Sequence, residues 1–269
     1  MSIAAIKRNH VHSFRAALQS VPRQRAGKLA DLKLFELAEW GRERPAVAKV
    51  SATTVNKQLG AVQAVALWAR DKGGMVPDDV PWADPFSRIR LRAEEPSRKL
   101  FTREELKAVF GGLVFAEGAR PTGGKGEAAF WLPLLALFTG ARRSELAGLT
   151  VENVDTESFG APVITITKDR SRGKRLKTQG SQRAVPLHKE LLRLGFLEFV
   201  SSVGEGQGAN SWLFPEIAPD KPVALKGWTK WFSRYIRDRD VASADKVFHS
   251  FRHGFKDALR AGGVGEDVI

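Results

Sequence analysis

The 269-residue chain contains no cysteine, which excludes disulfides, thiolate metal sites and a cysteine nucleophile. Tyrosine is nearly absent as well, Tyr235 being the only one. Long apolar runs are missing too. The longest, Ala128 to Phe138, contains Pro133 and is too short to span a bilayer, and Met1 to Arg8 has no apolar stretch of signal-peptide length. A cytoplasmic protein without membrane association is therefore expected. Acidic residues are scarce relative to basic ones: 30 Asp and Glu face 43 Lys and Arg, a formal net charge of +13, and the pI is about 10.2. That imbalance predicts an anionic partner. Because no basic amphipathic helix with a clean apolar face stands out and there is no lipidation signal, nucleic acid is favoured over a membrane surface.

What is present reads as two domains. Residues 1–92 are expected to be helical: Ile3 to Val21 is periodic, and Leu29 to Trp40 carries Leu32, Leu34, Phe35, Leu37 and Ala38. The clearest pattern runs from Ala52 to Lys72, where Val55, Leu59, Val62, Ala66 and Ala69 share one helical face. Gly73-Gly74 and Pro77 stop it. A polar, proline-bearing stretch follows, and residues 93–100 are expected to be a linker. The second domain, 101–269, opens on Thr102-Arg103-Glu104-Glu105, the pattern of a capping box. Helices are predicted near Glu127–Phe138, from Ser144, and over His188–Val203, Leu225–Arg239 and Phe248–Ala261. Val163 to Thr167 and Arg183 to Leu187 have strand composition, with turn residues Gln179-Gly180-Ser181 between them. The expected fold is mainly α with a small antiparallel β-sheet. Gly123-Gly124-Lys125-Gly126 lacks the spacing of a phosphate-binding P-loop, so Glu117 to Gly126 reads as a solvated loop.

Three segments carry chemistry: Thr139-Gly140-Ala141-Arg142-Arg143-Ser144-Glu145-Leu146; Lys177-Thr178 ahead of Ser181-Gln182-Arg183-Ala184-Val185-Pro186-Leu187; and His249-Ser250-Phe251-Arg252-His253. A phosphodiester under attack spreads charge over its non-bridging oxygens, which planar guanidiniums match with paired hydrogen bonds. Arg142 and Arg252 are the candidates for that clamp. His249, three residues before Arg252 on a predicted helix, shares its face and can donate or exchange a proton. Lys177 at a hairpin tip can protonate a leaving 5′ hydroxyl. Glu145, three residues after Arg142, is expected to orient a guanidinium. His253 points away from Arg252 and is assigned support or packing. Tyr235 falls in a stripe with Trp228, Trp231 and Phe232, which predicts core packing.

The three segments in this order resemble the tyrosine recombinase (phage integrase) family. That resemblance implies that Arg142, Lys177, His249 and Arg252 are catalytic, with Glu145 and His253 supporting them. It also implies a covalent 3′-phosphotyrosyl intermediate, no metal or nucleotide cofactor, and a homotetramer assembled on paired sites in double-stranded DNA. Thr53-Thr54-Val55-Asn56 to Trp68-Ala69, followed by Asp84-Pro85-Phe86, resembles the family's helical, SAM-like core-binding domain; the rest resembles its α+β catalytic domain. The family's nucleophilic tyrosine and a Gly-His-like segment normally lie downstream of the His-x-x-Arg helix. Gly262 to Ile269 resembles the lead-in to them, so 101–269 is expected to be a catalytic domain incomplete at its C-terminus, with no nucleophile in this chain. The resemblance leaves open an additional amino-terminal DNA-binding domain, which is frequent in the family. The function implied is site-specific recombination or integration by a mobile element. The alternatives are a truncated relative that binds without cutting, or a type IB topoisomerase.

Overall fold

The computed structural model describes residues 3–73, 76, 81–93, 99–167, 182–241, 243 and 245–265. The chain divides into two compact units, Met1–Pro96 and Ser97–Ile269.

In the first unit, α1 (Arg8–Ser20), α2 (Leu34–Arg42) and α3 (Ala52–Asp71) surround a core of Val11, Leu18, Val55, Leu59, Ala66, Phe86 and Ile89. Ser51 caps α3 by accepting the Thr54 amide at 3.3 Å. The predicted row on α3 is buried at Val55, Leu59, Ala66 and Ala69, but Val62 stays 39 % exposed: its helical period is right and its cover is incomplete. The apolar segment before it does not form one helix. Gly27–Ala30 is a 3₁₀ turn, and α2 starts only where the Glu36 carboxylate accepts the Lys33 amide at 2.7 Å. Asn56 on α3 holds the segment after it in both directions, donating to the Leu91 carbonyl and accepting the Leu91 amide, each at 2.8 Å. Gln63 donates to the Asp84 carboxylate at 2.6 Å, and Asp84 accepts the Phe86 amide at 2.9 Å. Asn56→Ala is therefore expected to cost this unit about 2 kcal/mol through two lost hydrogen bonds and the backbone groups left behind. Urea unfolding of the full chain should show an earlier transition for this unit; an unchanged curve would mean the clamp is dispensable.

The second unit runs α4 (Arg103–Phe110), α5 (Leu113–Ala116), α6 (Ala128–Thr139), α7 (Arg143–Ala147), β1 (Val154–Asp155), β2 (Val163–Ile166), β3 (Arg183–Pro186), α8 (Lys189–Arg193), α9 (Phe196–Gln207), α10 (Pro222–Arg237) and α11 (His249–Ala261). It is mainly helical, with one small antiparallel sheet in the order β1-β2-β3, in which Ile164 faces both Val154 and Val185. The Thr102 capping box forms as read: Thr102 Oγ1 accepts the Glu105 amide and the Glu105 carboxylate accepts the Thr102 amide. Glu105 also takes Lys246 Nζ on both oxygens at 2.6 Å, tying α4 to the residues just before α11.

Helix α6 is apolar nearly all round and almost wholly enclosed, as a central helix must be. Two sequence expectations are revised here. The helix expected over His188–Val203 is two helices, broken where Gly195 adopts φ +85°. The glycine-rich loop is not simply solvated: Thr122–Gly124 forms a 3₁₀ turn against α10, where a Cβ on Gly123 or Gly124 would stand 2.7 Å from Trp231 or from Ala129. Its glycines serve close packing. Trp228 and Phe232 stack at 5.4 Å between centroids and meet Phe248 edge-on. Tyr235 is buried with them and its hydroxyl donates to the Val109 carbonyl at 2.7 Å. Among the described residues no helix is long and apolar enough to cross a membrane.

Candidate active site

The first motif sits at the turn between α6 and α7. Thr139 ends α6 by donating to the Leu135 carbonyl at 2.6 Å and accepting the Ala141 amide at 3.2 Å. Gly140 then reverses the chain in the left-handed region, φ +60°. Its missing Cβ matters twice, because one placed there would stand 2.3 Å from the Phe255 ring on α11. This close approach sets α11 against the turn.

Arg142 becomes the N-cap of α7. Its amide donates to Glu145 Oε2 at 2.8 Å and its guanidinium to Glu145 Oε1 at 2.6 Å. Arg183, at the start of β3, donates to Glu145 Oε2 at 2.9 Å. The Glu145 side chain is only 2 % exposed. Burial alone would raise its pKa, but the Arg142 amide, the Arg142 guanidinium and Arg183 outweigh it and hold the carboxyl below the ordinary value.

Arg252, in the first turn of α11, donates from Nη1 to the Gly140 carbonyl. Partial burial first, then the nearby Arg142 and Arg183 guanidiniums, press its pKa downward; Glu145 opposes them. Arginine stays charged regardless. Three guanidiniums thus surround one buried carboxylate, leaving excess positive charge where fork-shaped donors can reach an oxyanion.

His249 is exposed at the start of α11, and its ring meets that of His253 edge-on at 4.7 Å. The i, i+4 spacing joins these two, and the i, i+3 spacing puts Arg252 beside His249. Lys177 lies outside the described residues. Among the sequence-read residues, the structure therefore brings Arg142, Glu145 and Arg252 together and pairs His249 with His253. Reading the sequence missed Arg183. Its signal was a cation opening the alternating Arg183 to Leu187 strand, but only the fold shows that it shares Glu145 with Arg142. Among the described residues no group of three or more His, Asp or Glu side chains could hold a metal ion.

Two solved structures of the Tn1549 transposon integrase match this chain. One is a Tyr-to-Phe variant in complex with transposon right end DNA, with TM-score 0.58 and 19 % identity over 100 % of this chain and 89 % of that chain. The other is in complex with circular intermediate DNA, with TM-score 0.56 and 16 % identity over 100 % and 90 %. At such identities the likeness shows a shared fold. No curated protein matches by sequence. The phage integrase family model matches residues 128–269, a span that holds the turn, the sheet and the whole guanidinium cluster. The chain belongs to the phage integrase family, the tyrosine recombinases.

Proposed function

We propose that this chain is the DNA-gripping and phosphodiester-activating part of a site-specific recombinase that integrates or excises a mobile element. The observation that carries this reading is the Arg142–Arg183–Arg252 cluster around Glu145. In it, Arg142 and Arg252 bind the non-bridging oxygens of the scissile phosphate in double-stranded DNA. A tyrosine phenol oxygen attacks phosphorus, the 3′-phosphotyrosyl bond forms, and the bond to the 5′ oxygen breaks. Lys177 gives that oxygen its proton, and His249 takes the phenol's proton or donates to the phosphate. Attack by a 5′ hydroxyl reverses the step, so no external energy source is needed. Glu145 fixes the guanidiniums, and His253 braces His249. The unit Met1–Pro96 grips the duplex as a core-binding domain, and four copies assemble on paired sites.

The basic charge of +13 and the DNA-bound state of the matched Tn1549 integrase structures support duplex DNA as the substrate. In the full enzyme, Arg142→Ala or Arg252→Ala is expected to leave duplex binding largely intact and to lower cleavage by at least about 100-fold each, the scale of a lost oxyanion donor. Cleavage retained in both variants overturns the reading.

One observation favours a second reading, a relative that occupies sites without cutting them: the single tyrosine is packed in the core and bonded to Val109. Incubation with nicked duplex separates the two. With the full enzyme, a covalent protein–DNA adduct on a tyrosine other than Tyr235 supports the recombinase, and binding without an adduct supports the site-occupying relative.

A further inference from the structure

We propose that Glu105 and Lys246 are positioning residues for the reaction: with Phe101 they form a strap that holds the first turn of α11, and through it His249 and Arg252, in place against the scissile phosphate. The assignment rests on the DNA-cleaving function proposed above; the strap itself rests on its contacts.

The first turn of α11 is a poor helix start by itself. Phe248 precedes it in helical conformation (φ −49°, ψ −36°) and supplies no side-chain cap. No acidic residue lies in the turn; it carries Arg252 instead, a cation at the end where the helix dipole is positive. Ser250 Oγ accepts the Val247 amide at 3.2 Å, a bond that serves the backbone just before the helix. Local sequence therefore does little to fix where His249 and Arg252 stand, and packing from outside the helix must do so.

That packing comes from residues 99–105, near the start of the second unit. Lys246 Nζ donates to both Glu105 oxygens at 2.6 Å, and the two side chains are only 11 % and 19 % exposed. Phe101 packs on Phe251 with ring centroids 4.8 Å apart. Lys99 pairs with Asp245 at 3.0 Å, but both side chains are about half exposed, so water and salt weaken that contact. The Glu105 end of the strap is itself anchored, because the carboxylate accepts the Thr102 amide at 2.7 Å. Burial alone would raise its pKa, but Lys246 and the Thr102 amide outweigh it and hold the carboxyl below the ordinary value. It is ionised throughout the neutral range.

Lys246 lies three residues before His249, and the buried Phe251 lies between His249 and Arg252. The strap thus grips the chain on both sides of His249. On its other side Arg252 donates to the Gly140 carbonyl, so the start of α11 is held between the strap and the α6–α7 turn. Arg142 and Arg183 are fixed separately, by Glu145. Loosening the strap shifts His249 and Arg252 relative to those two guanidiniums, and a misplacement of about 1 Å at a reacting centre can cost on the order of 100-fold in rate.

The test is single-turnover cleavage of a nicked duplex by the full enzyme, at a temperature where circular dichroism shows each variant folded. The rate at saturating DNA and the half-saturating DNA concentration are measured separately. In Lys246→Met, which keeps the length of the side chain and removes its charge, the saturating rate is expected to fall on the order of 10- to 100-fold, with the half-saturating concentration unchanged. Lys246→Arg keeps a cationic donor for the carboxylate and should recover most of the rate. Glu105→Gln/Lys246→Met leaves no uncompensated charge, and is read in place of Lys246→Met if that variant does not fold; its saturating rate should fall to a similar level, because the pair acts as a unit. The control Arg120→Gln/Glu127→Gln removes another ion pair with two hydrogen bonds, at the opposite end of α6 from Gly140, and should leave the rate unchanged. The strap is overturned, with the DNA-cleaving function left standing, by a wild-type saturating rate in Lys246→Met and in the double variant, by a loss confined to the half-saturating concentration, by no recovery in Lys246→Arg, or by an equal loss in the control. A wild-type full enzyme that cleaves no duplex overturns both.

Discussion

Glu145→Ala is expected to destabilise the second unit by about 4 kcal/mol, the scale seen when one partner of a buried charge cluster is removed. The carboxylate is enclosed and accepts the Arg142 amide and two guanidiniums. Its loss leaves Arg142, Arg183 and Arg252 facing one another without a counter-charge, and frees the N-cap amide of α7. The effect has a defined pH dependence. Because the folded carboxyl lies below its ordinary value of 4.5, its contribution to stability is fully present above that value and is lost as pH falls through the folded one. The gap between wild type and Glu145→Ala in urea unfolding should therefore be constant at neutral pH and narrow in acid. A gap of the same size throughout would assign the loss to packing alone. Glu145→Gln keeps the shape and removes the charge, and should fall between the two.

Gly140→Ala should be nearly as costly, about 3 kcal/mol, which for a unit of this size lowers the melting temperature on the order of 10 °C. Two costs add. An alanine in the left-handed region loses ~1–2 kcal/mol, and its Cβ would stand 2.3 Å from the Phe255 ring, an overlap that costs ~1–3 kcal/mol to relieve. The double variant Gly140→Ala/Phe255→Ala distinguishes them. Once the loss due to Phe255→Ala alone is subtracted, it should regain the part due to overlap and keep the part due to φ. Full recovery would mean the left-handed turn is not strained by a side chain, and no recovery would mean α11 does not press on this turn. Because Arg252 donates to the Gly140 carbonyl, the same change displaces a guanidinium of the site. Cleavage by the full enzyme should then fall at temperatures where the variant is still folded.

Much of this was legible in the sequence, because it depends on neighbours along the chain. The α3 row follows from a 3.6-residue period, the Thr102 cap from a four-residue pattern, and the pairing of Glu145 with Arg142 from i, i+3 geometry; the contact of His249 with His253 did not follow from that reading, which set His253 apart. What escaped depends on distance through space. Arg183 is 38 residues from the carboxylate it shares, and no local pattern links them. The glycines at 123 and 124 look like a solvated loop until Trp231, far along the chain, is seen against them. Gly195 divides an apolar segment whose periodicity continues across it, because a left-handed φ interrupts a helix without altering its pattern. The assignment of Lys177 falls outside the described residues.

The hydrogen bond from Tyr235 to Val109 also bears on how the chemistry of this chain is to be recognised. Burial raises the pKa of this phenol, with Arg239 only partly opposing it, so the folded protein keeps it neutral, stacked and facing inward. A phosphate or DNA adduct mapped to Tyr235 would therefore be a mark of unfolding, carried only by molecules whose aromatic core had already opened.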